Sequence, residues 1–365
     1  MTTTTAPPAH IRTVEALREH LQAAIELEHA TIPPYLCAMY SIQPGANVQA
    51  VEIIRTVVVQ EMLHMVLAAN VLNAIGGAPV VDSPAFVPSY PCELPVSDHG
   101  RPLKVHLQRF SREAVAAFLK IEHPQKLPPR PRALAAARPG QLKDMIRRGE
   151  LYGSIAEMYQ AIEQALRYFD QHPESGGVSL FSGDPARQVS PEYYYASGGM
   201  CQPVHDLDSA LAALRVIVYE GEGYAGTTSD GDVELFHEPA EVAHYYRFNE
   251  IHLGRHYAAT DTPNSGPTGV PLVVDWQATY PMIMDPRTSA YPQDSEVRRR
   301  SEEFNQAYTR LLRLVHRAFN GEPAELIPGV VHMFDLRARA VALLRNPIPG
   351  SEHQHAGPSF EYVVE

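Results

Sequence analysis

Glu61 and His64 stand three residues apart in the middle of an apolar stretch, "VVVQEMLHMVLAANVLNAIGG", Val57 to Gly77. On a helix this spacing sets a carboxylate and an imidazole side by side. Ile54, Val58, Glu61, Met65, Ala68 and Leu72 share one face, with His64 beside Glu61. A charged group on such a face costs several kcal/mol unless it is paired or bound to a metal. A second Glu-x-x-His, Glu241 and His244, lies in "HEPAEVAHYYRFNEIH". A lone glutamate, Glu28, falls on the apolar stripe of "LQAAIELEHATIPPYLCAMYSI" with Leu21, Ala24, Ile25, Ile32 and Tyr35, while Glu26 falls on the polar stripe with Glu15, Glu19, Gln22 and His29. Two Glu-x-x-His motifs with further inward glutamates form the ligand inventory of a carboxylate-bridged dimetal site in a helical bundle.

Other carboxylates compete for the remaining ligand positions. Glu157, in "GSIAEMYQAIEQAL", lies nearly opposite Tyr159 on its helix, and periodicity alone leaves it between ligand and solvated residue. Glu220 and Glu222 sit among glycines in "VIVYEGEGY", where the chain can unwind and turn a carboxylate inward. Tyr35 and Tyr159 are candidates to line the pocket or donate electrons. Arg247, in "HYYRF", is a candidate anchor for a carboxylate of the protein or of a substrate. Histidines 20, 29 and 123 lie in polar contexts, and His252 and His256 read as surface residues. Tyr193, Tyr194 and Tyr195 read as loop packing, with a pocket wall as the alternative.

The elements that position these groups are helical. Apolar periodicity marks helices over 11–41, 47–75, 141–170, 204–220, 239–254, 295–320 and 323–344. "GGAP", Gly76 to Pro79, stops the second. A long polar, proline-rich connection follows it, and "HPQKLPPRPRALAAARPG", His123 to Gly140, reads as a loop. Two helices, a long crossover and more helices suit an all-α fold, a ferritin-like four-helix bundle with additional C-terminal helices. The expected division is a bundle over 11–260 and a C-terminal helical extension over 261–365 packed on it.

Bulk properties narrow the function classes. Acidic residues (42) outnumber basic ones (30), for a formal charge of −12, which argues against a phosphate-binding surface and a nucleic-acid partner. The three cysteines form no CxxC, which argues against a thiolate zinc site and fits a reducing, cytoplasmic setting. No signal peptide is evident in "MTTTTAPPAH", and no apolar run approaches the ~20 residues that span a bilayer, so no membrane association is expected.

The blocks "ELEHATIPPYLCAMYSI", "EMLHMVLAANVLNAIGGAP", "SIAEMYQAI", "EGEG", "AHYYRFNEI" and "AGPSFEY" resemble the ferritin-like domain of the iminophenyl-pyruvate dimer synthases, which act in bisindole pigment and alkaloid biosynthesis. Stand-alone bacterial ferritin-like proteins share these blocks, and "FNQAYTRLLRLVHRAFNG" resembles their C-terminal part. The resemblance implies a non-haem site for two metal ions, iron first and manganese second. It places ligands on Glu28, Glu61, His64, Glu157 and His244, with Glu222 or Glu241 completing the set. The dimer synthases are longer multidomain proteins, so the substrate does not follow from them. The expected activity is an O2- or peroxide-using oxidoreductase acting on a small, amino-acid-derived molecule. The alternative is an iron-binding, ferroxidase-type protein without an organic substrate. Oligomeric state is left open, with a homo-oligomer among the expectations.

Overall fold

A computed structural model describes residues 6–124, 142–173, 177, 179–194, 200–237, 241–351 and 353–364. Among these are ten α-helices: α1 (Val14–Ser41), α2 (Val48–Ala74), α3 (Arg112–Ile121), α4 (Leu142–Arg147), α5 (Ile155–Gln171), α6 (Leu207–Glu222), α7 (Asp232–Phe236), α8 (His244–Leu253), α9 (Glu296–Phe319) and α10 (Leu326–Leu344). One hairpin joins β1 (Cys92–Asp98) to β2 (Arg101–Val105). The ferritin-like expectation is met by a bundle in which α1 packs on α2 and α5, and α6 packs on α2 and α5. Helices α3 and α8 pack on each other, and α8 also packs on α2 and α6.

Local chemistry explains the helix limits. Thr13, Ser111, Ser154 and Asp206 each accept a backbone N–H from the first turn of the helix they precede, satisfying donors that the helix itself leaves free. α1 continues through Pro33 and Pro34. Pro34 has no N–H for the Ala30 carbonyl, and the Tyr90 hydroxyl donates to it instead at 2.8 Å. α2 ends at Ala74, just before the glycines of "GGAP". By length and hydropathy α2 is apolar enough to cross a membrane, but 89% of its most apolar window is buried in the protein, as befits a core helix. One apolar cluster runs from Ile11 to Phe360, so α9 and α10 share the core of the bundle.

The structure redraws three segments. The expected helix over 141–170 is two: Gly149, at φ 72°, ends α4, and Ser154 starts α5. The connection after α2 carries the hairpin, turned at His99 and Gly100 with φ 54° and 83°, and then α3. The expected helix over 239–254 starts at His244, and residues 238–240 lie outside the described set. Most of the loop expected over 123–140 also lies outside it, as does Tyr195.

Candidate metal centre

Six side chains from five helices meet beneath the bundle surface. α1 brings Glu28, α2 brings Glu61 and His64, and Glu122 follows the last turn of α3. α6 brings Glu220, and His244 opens α8. Each of the six is at most 3% exposed. His64 Nε2 lies 2.9 Å from Glu220 Oε2, and its Nδ1 lies 3.6 Å from Glu28 Oε2. His244 Nδ1 lies 3.0 Å from Glu61 Oε1 and 3.7 Å from Glu122 Oε2. The two imidazoles stack with ring centres 5.3 Å apart. One ligand atom each of Glu61, His64 and His244 falls within a common 4.8 Å, a group that could hold a metal ion.

An outer ring of donors fixes these groups. The Tyr159 hydroxyl donates to Glu28 Oε1 at 2.5 Å, and the Tyr35 hydroxyl donates to Glu122 Oε1. Thr31 Oγ1 lies 3.0 Å from Glu61 Oε2. His244 Nε2 donates to Gln60 Oε1 at 3.1 Å, so its lone pair is on Nδ1, turned toward Glu61 and Glu122. Hydrogen-bonding the second ring nitrogen in this way orients an imidazole for metal.

The electrostatics are unbalanced. Burial, with the neighbouring Glu122 and Glu28 carboxylates, holds Glu61 well above the usual carboxylate range. Burial also works against ionisation of Glu28, but hydrogen bonding and charge from His64 outweigh it, and Glu28 lies below its ordinary value. His64 pays a burial penalty too, overcome by Glu220 and Glu28, which hold it well above the usual imidazole range. Burial holds His244 below that range. Four carboxylates facing two imidazoles leave net negative charge in an apolar interior, and Glu220 Oε1 and His244 Nδ1 have no hydrogen-bond partner among the described residues. Two divalent cations would answer both deficits, so the donor set fits a dimetal group.

Of the residues singled out by sequence, Glu28, Glu61, His64 and His244 come together here. Glu157 does not. It caps α5: its backbone N–H donates to Ser154 Oγ, and its carboxylate accepts from the Gly153 N–H. The helix end uses the carboxylate, which reaches back to the residue before the Ser154 N-cap. Glu241 lies outside α8, in an extended segment bridged to Ser229, so its Glu-x-x-His spacing never faces one side of a helix. Its side chain is 54% exposed and pairs with Arg247 Nη2 at 2.7 Å. Glu222 reaches the rim of the site, but its Oε1 accepts from the Ala156 N–H at 2.9 Å, at the start of α5. Tyr35 and Tyr159 touch the cluster through their hydroxyls. Arg247 is buried in the first turns of α8, bound to Glu241, Asp230, Thr56 Oγ1 and the Val242 carbonyl. It anchors the helix that starts with His244 and is a positioning residue.

Of the other two members, Glu122 was not singled out, and Glu220 was named only beside Glu222 and not as one of the expected ligands. Glu220 falls seven residues after Ala213 and three after Ile217, on the apolar face of α6, a spacing visible in the sequence. Glu122 follows Val115 by seven residues and Phe118 by four, the same signal in a helix read as loop. Gly223, at φ 101°, then turns the chain away from α6, where a Cβ would lie 2.6 Å from the Thr227 carbonyl oxygen. Three residues read as polar surface are buried: Glu26 accepts the Leu142 N–H, His29 meets the Tyr308 hydroxyl at 2.6 Å, and His20 meets the Ala16 carbonyl.

A family model described as Ferritin-like matches residues 21–253, a span that contains all six residues. The chain belongs to the Ferritin-like family. This member is 26% identical, over 330 residues, to Dichlorochromopyrrolate synthase of Lentzea aerocolonigenes. That match covers 83% of the chain and 29% of the synthase, so the chain spans under a third of its relative's length. A crystal structure of a ferritin-like protein from Caulobacter vibrioides superposes with a TM-score of 0.56 at 22% identity, covering 92% of this chain and 96% of that one, and shares its fold. The resemblance read from the sequence blocks is thereby borne out at the level of the family.

Proposed function

We propose that this ferritin-like protein is a non-haem dimetal oxidoreductase, with iron as the metal and manganese as the alternative, that uses O2 or peroxide on a small, amino-acid-derived molecule in specialised metabolism. The observation that carries the reading is the convergence of four buried carboxylates and two buried imidazoles, among which Glu220 Oε1 and His244 Nδ1 have no hydrogen-bond partner among the described residues. A pair of bound irons supplies two-electron reduction of O2 or peroxide. Glu28, Glu61, His64, Glu122, Glu220 and His244 would hold them. Tyr159 and Tyr35 orient Glu28 and Glu122, and Gln60 orients His244. Ile121, Ile155, Ile217 and Val218 line the adjoining pocket and keep bulk water from the cluster. The link to specialised metabolism rests on the likeness to the synthase.

One observation favours a second reading, a ferroxidase without an organic substrate. The space beside the carboxylates is about 10 Å3, room for roughly one water-sized molecule. Anaerobic loading with Fe(II), metal counting and timed O2 addition separate the two. The oxidoreductase reading expects two irons per chain and O2 uptake that continues while an amino-acid-derived substrate and reductant last. The ferroxidase reading expects uptake to stop once the added Fe(II) is oxidised. A chain that takes up no iron or manganese contradicts both.

A further inference from the structure

On another side of α2, the bundle meets the C-terminal helices without filling the space between them. Two apolar cavities of about 90 and 80 Å3 lie there. Both are lined by Met62 and Met65 of α2, Val315 of α9 and Met333 of α10, so these four side chains form the waist between two adjoining lobes. The first lobe is bordered by Tyr194 and Phe319, the second by Tyr308 and Phe360. Protein interiors pack densely, and voids above water size are few. Neither lobe alone reaches the roughly 150 Å3 of an apolar cavity known to take up benzene, but the two exceed it once the methionines of the waist swing aside.

Methionines are adaptable walls that favour aromatic contact through sulfur. Besides tyrosines, the lining holds one imidazole. His29 borders the second lobe, and its Nδ1 has no hydrogen-bond partner among the described residues although the residue is 4% exposed. His29 Nε2 lies 2.6 Å from the Tyr308 hydroxyl, and with that hydroxyl as the donor the proton of the neutral ring sits on Nδ1.

We propose that this space is a binding site for a small, flat, apolar aromatic molecule carrying one oxygen acceptor, held between methionines and aromatic rings with His29 Nδ1–H as its donor. None of Glu28, Glu61, His64, Glu122, Glu220 and His244 lines either lobe, so the site is separate from the metal cluster and does not depend on the metal.

The test uses the full chain, metal-free and metal-loaded, with toluene and p-cresol as probes. Titration calorimetry should show one saturable site for each, with p-cresol bound at least as tightly as toluene in both metal states. Met65→Trp, which fills the shared waist, should weaken both at least tenfold while the circular dichroism spectrum is retained. Should that variant not fold, Met333→Trp fills the same waist from α10. A crystal soaked with p-cresol should place its oxygen within hydrogen-bond reach of His29 Nδ1. Absence of saturable binding up to the solubility limit, or filled variants that bind as well as wild type, would overturn the site. Much weaker binding of p-cresol than of toluene would overturn the donor role of His29.

Discussion

Exchanging two glutamates tests which carboxylate completes the cluster. Glu122 lies beside His244, held by Tyr35, while Glu157 is occupied with the first turn of α5. Glu122→Gln keeps the shape and removes the charge. Loss of a group that merely supports a ligand lowers metal affinity about 10–100-fold, so loss of a ligand should cost about 100-fold or more, roughly 2.7 kcal/mol. Glu157→Ala removes the carboxylate that accepts the Gly153 N–H, worth about 1 kcal/mol of stability. That amounts to a fall of about 2 °C in melting temperature, because a kcal/mol shifts larger domains by only a few degrees. Anaerobic Fe(II) titration against a competing chelator reads the first quantity, and thermal melting of the chelated protein reads the second. Glu122→Gln should lose iron with little change in melting, and Glu157→Ala should do the reverse. Iron loss in Glu157→Ala matching that in Glu122→Gln would refute the assignment.

Burial raises the Glu26 carboxyl to about 7, so its cost is absent below about pH 4.5, and stability falls as pH rises from about 4.5 to about 7 and is level above that. Glu26→Gln should therefore gain up to about 3 kcal/mol at pH 8 and almost nothing at pH 4.5, read by denaturant melts at both. Burial lowers His29 to about 3, so the stability of its neutral form is complete above pH 6.5 and lost as pH falls toward 3. His29→Gln should flatten that acid limb, and an unchanged limb would contradict it. Arg247→Ala strands buried Asp230 and frees the start of α8. It should cost about 3–5 kcal/mol, with iron occupancy lower than in Arg247→Lys. Tyr159→Phe removes the 2.5 Å bond to Glu28. It should destabilise the chelated protein by about 1.5–3 kcal/mol, and no change would argue against that bond.

The helices, their order and four of the six converging residues were legible because burial repeats with the helical period and a charge on the apolar face stands out. Glu28, Glu61 and His64 are such cases. Glu122 was hidden because α3 is short and lies in a proline-rich connection. Glu220 was visible by period, but the neighbouring glycines drew attention to Glu222, which serves the start of α5. Glu157 and Glu241 were misplaced because a motif records spacing and not backbone state. One glutamate serves the start of its own helix, and the other spacing bridges an extended segment and a helix start. Glu26 and His29 lie on the polar stripe of α1, which tertiary packing with α4 and α9 covers, and no period along α1 reports that.

Diffraction from iron-loaded crystals at the iron absorption edge addresses the central claim most directly. Two anomalous peaks should appear among Glu28, Glu61, His64, Glu122, Glu220 and His244, with none at Glu157 or Glu241. Iron bound elsewhere, or no peak within that cluster at full loading, would contradict the account.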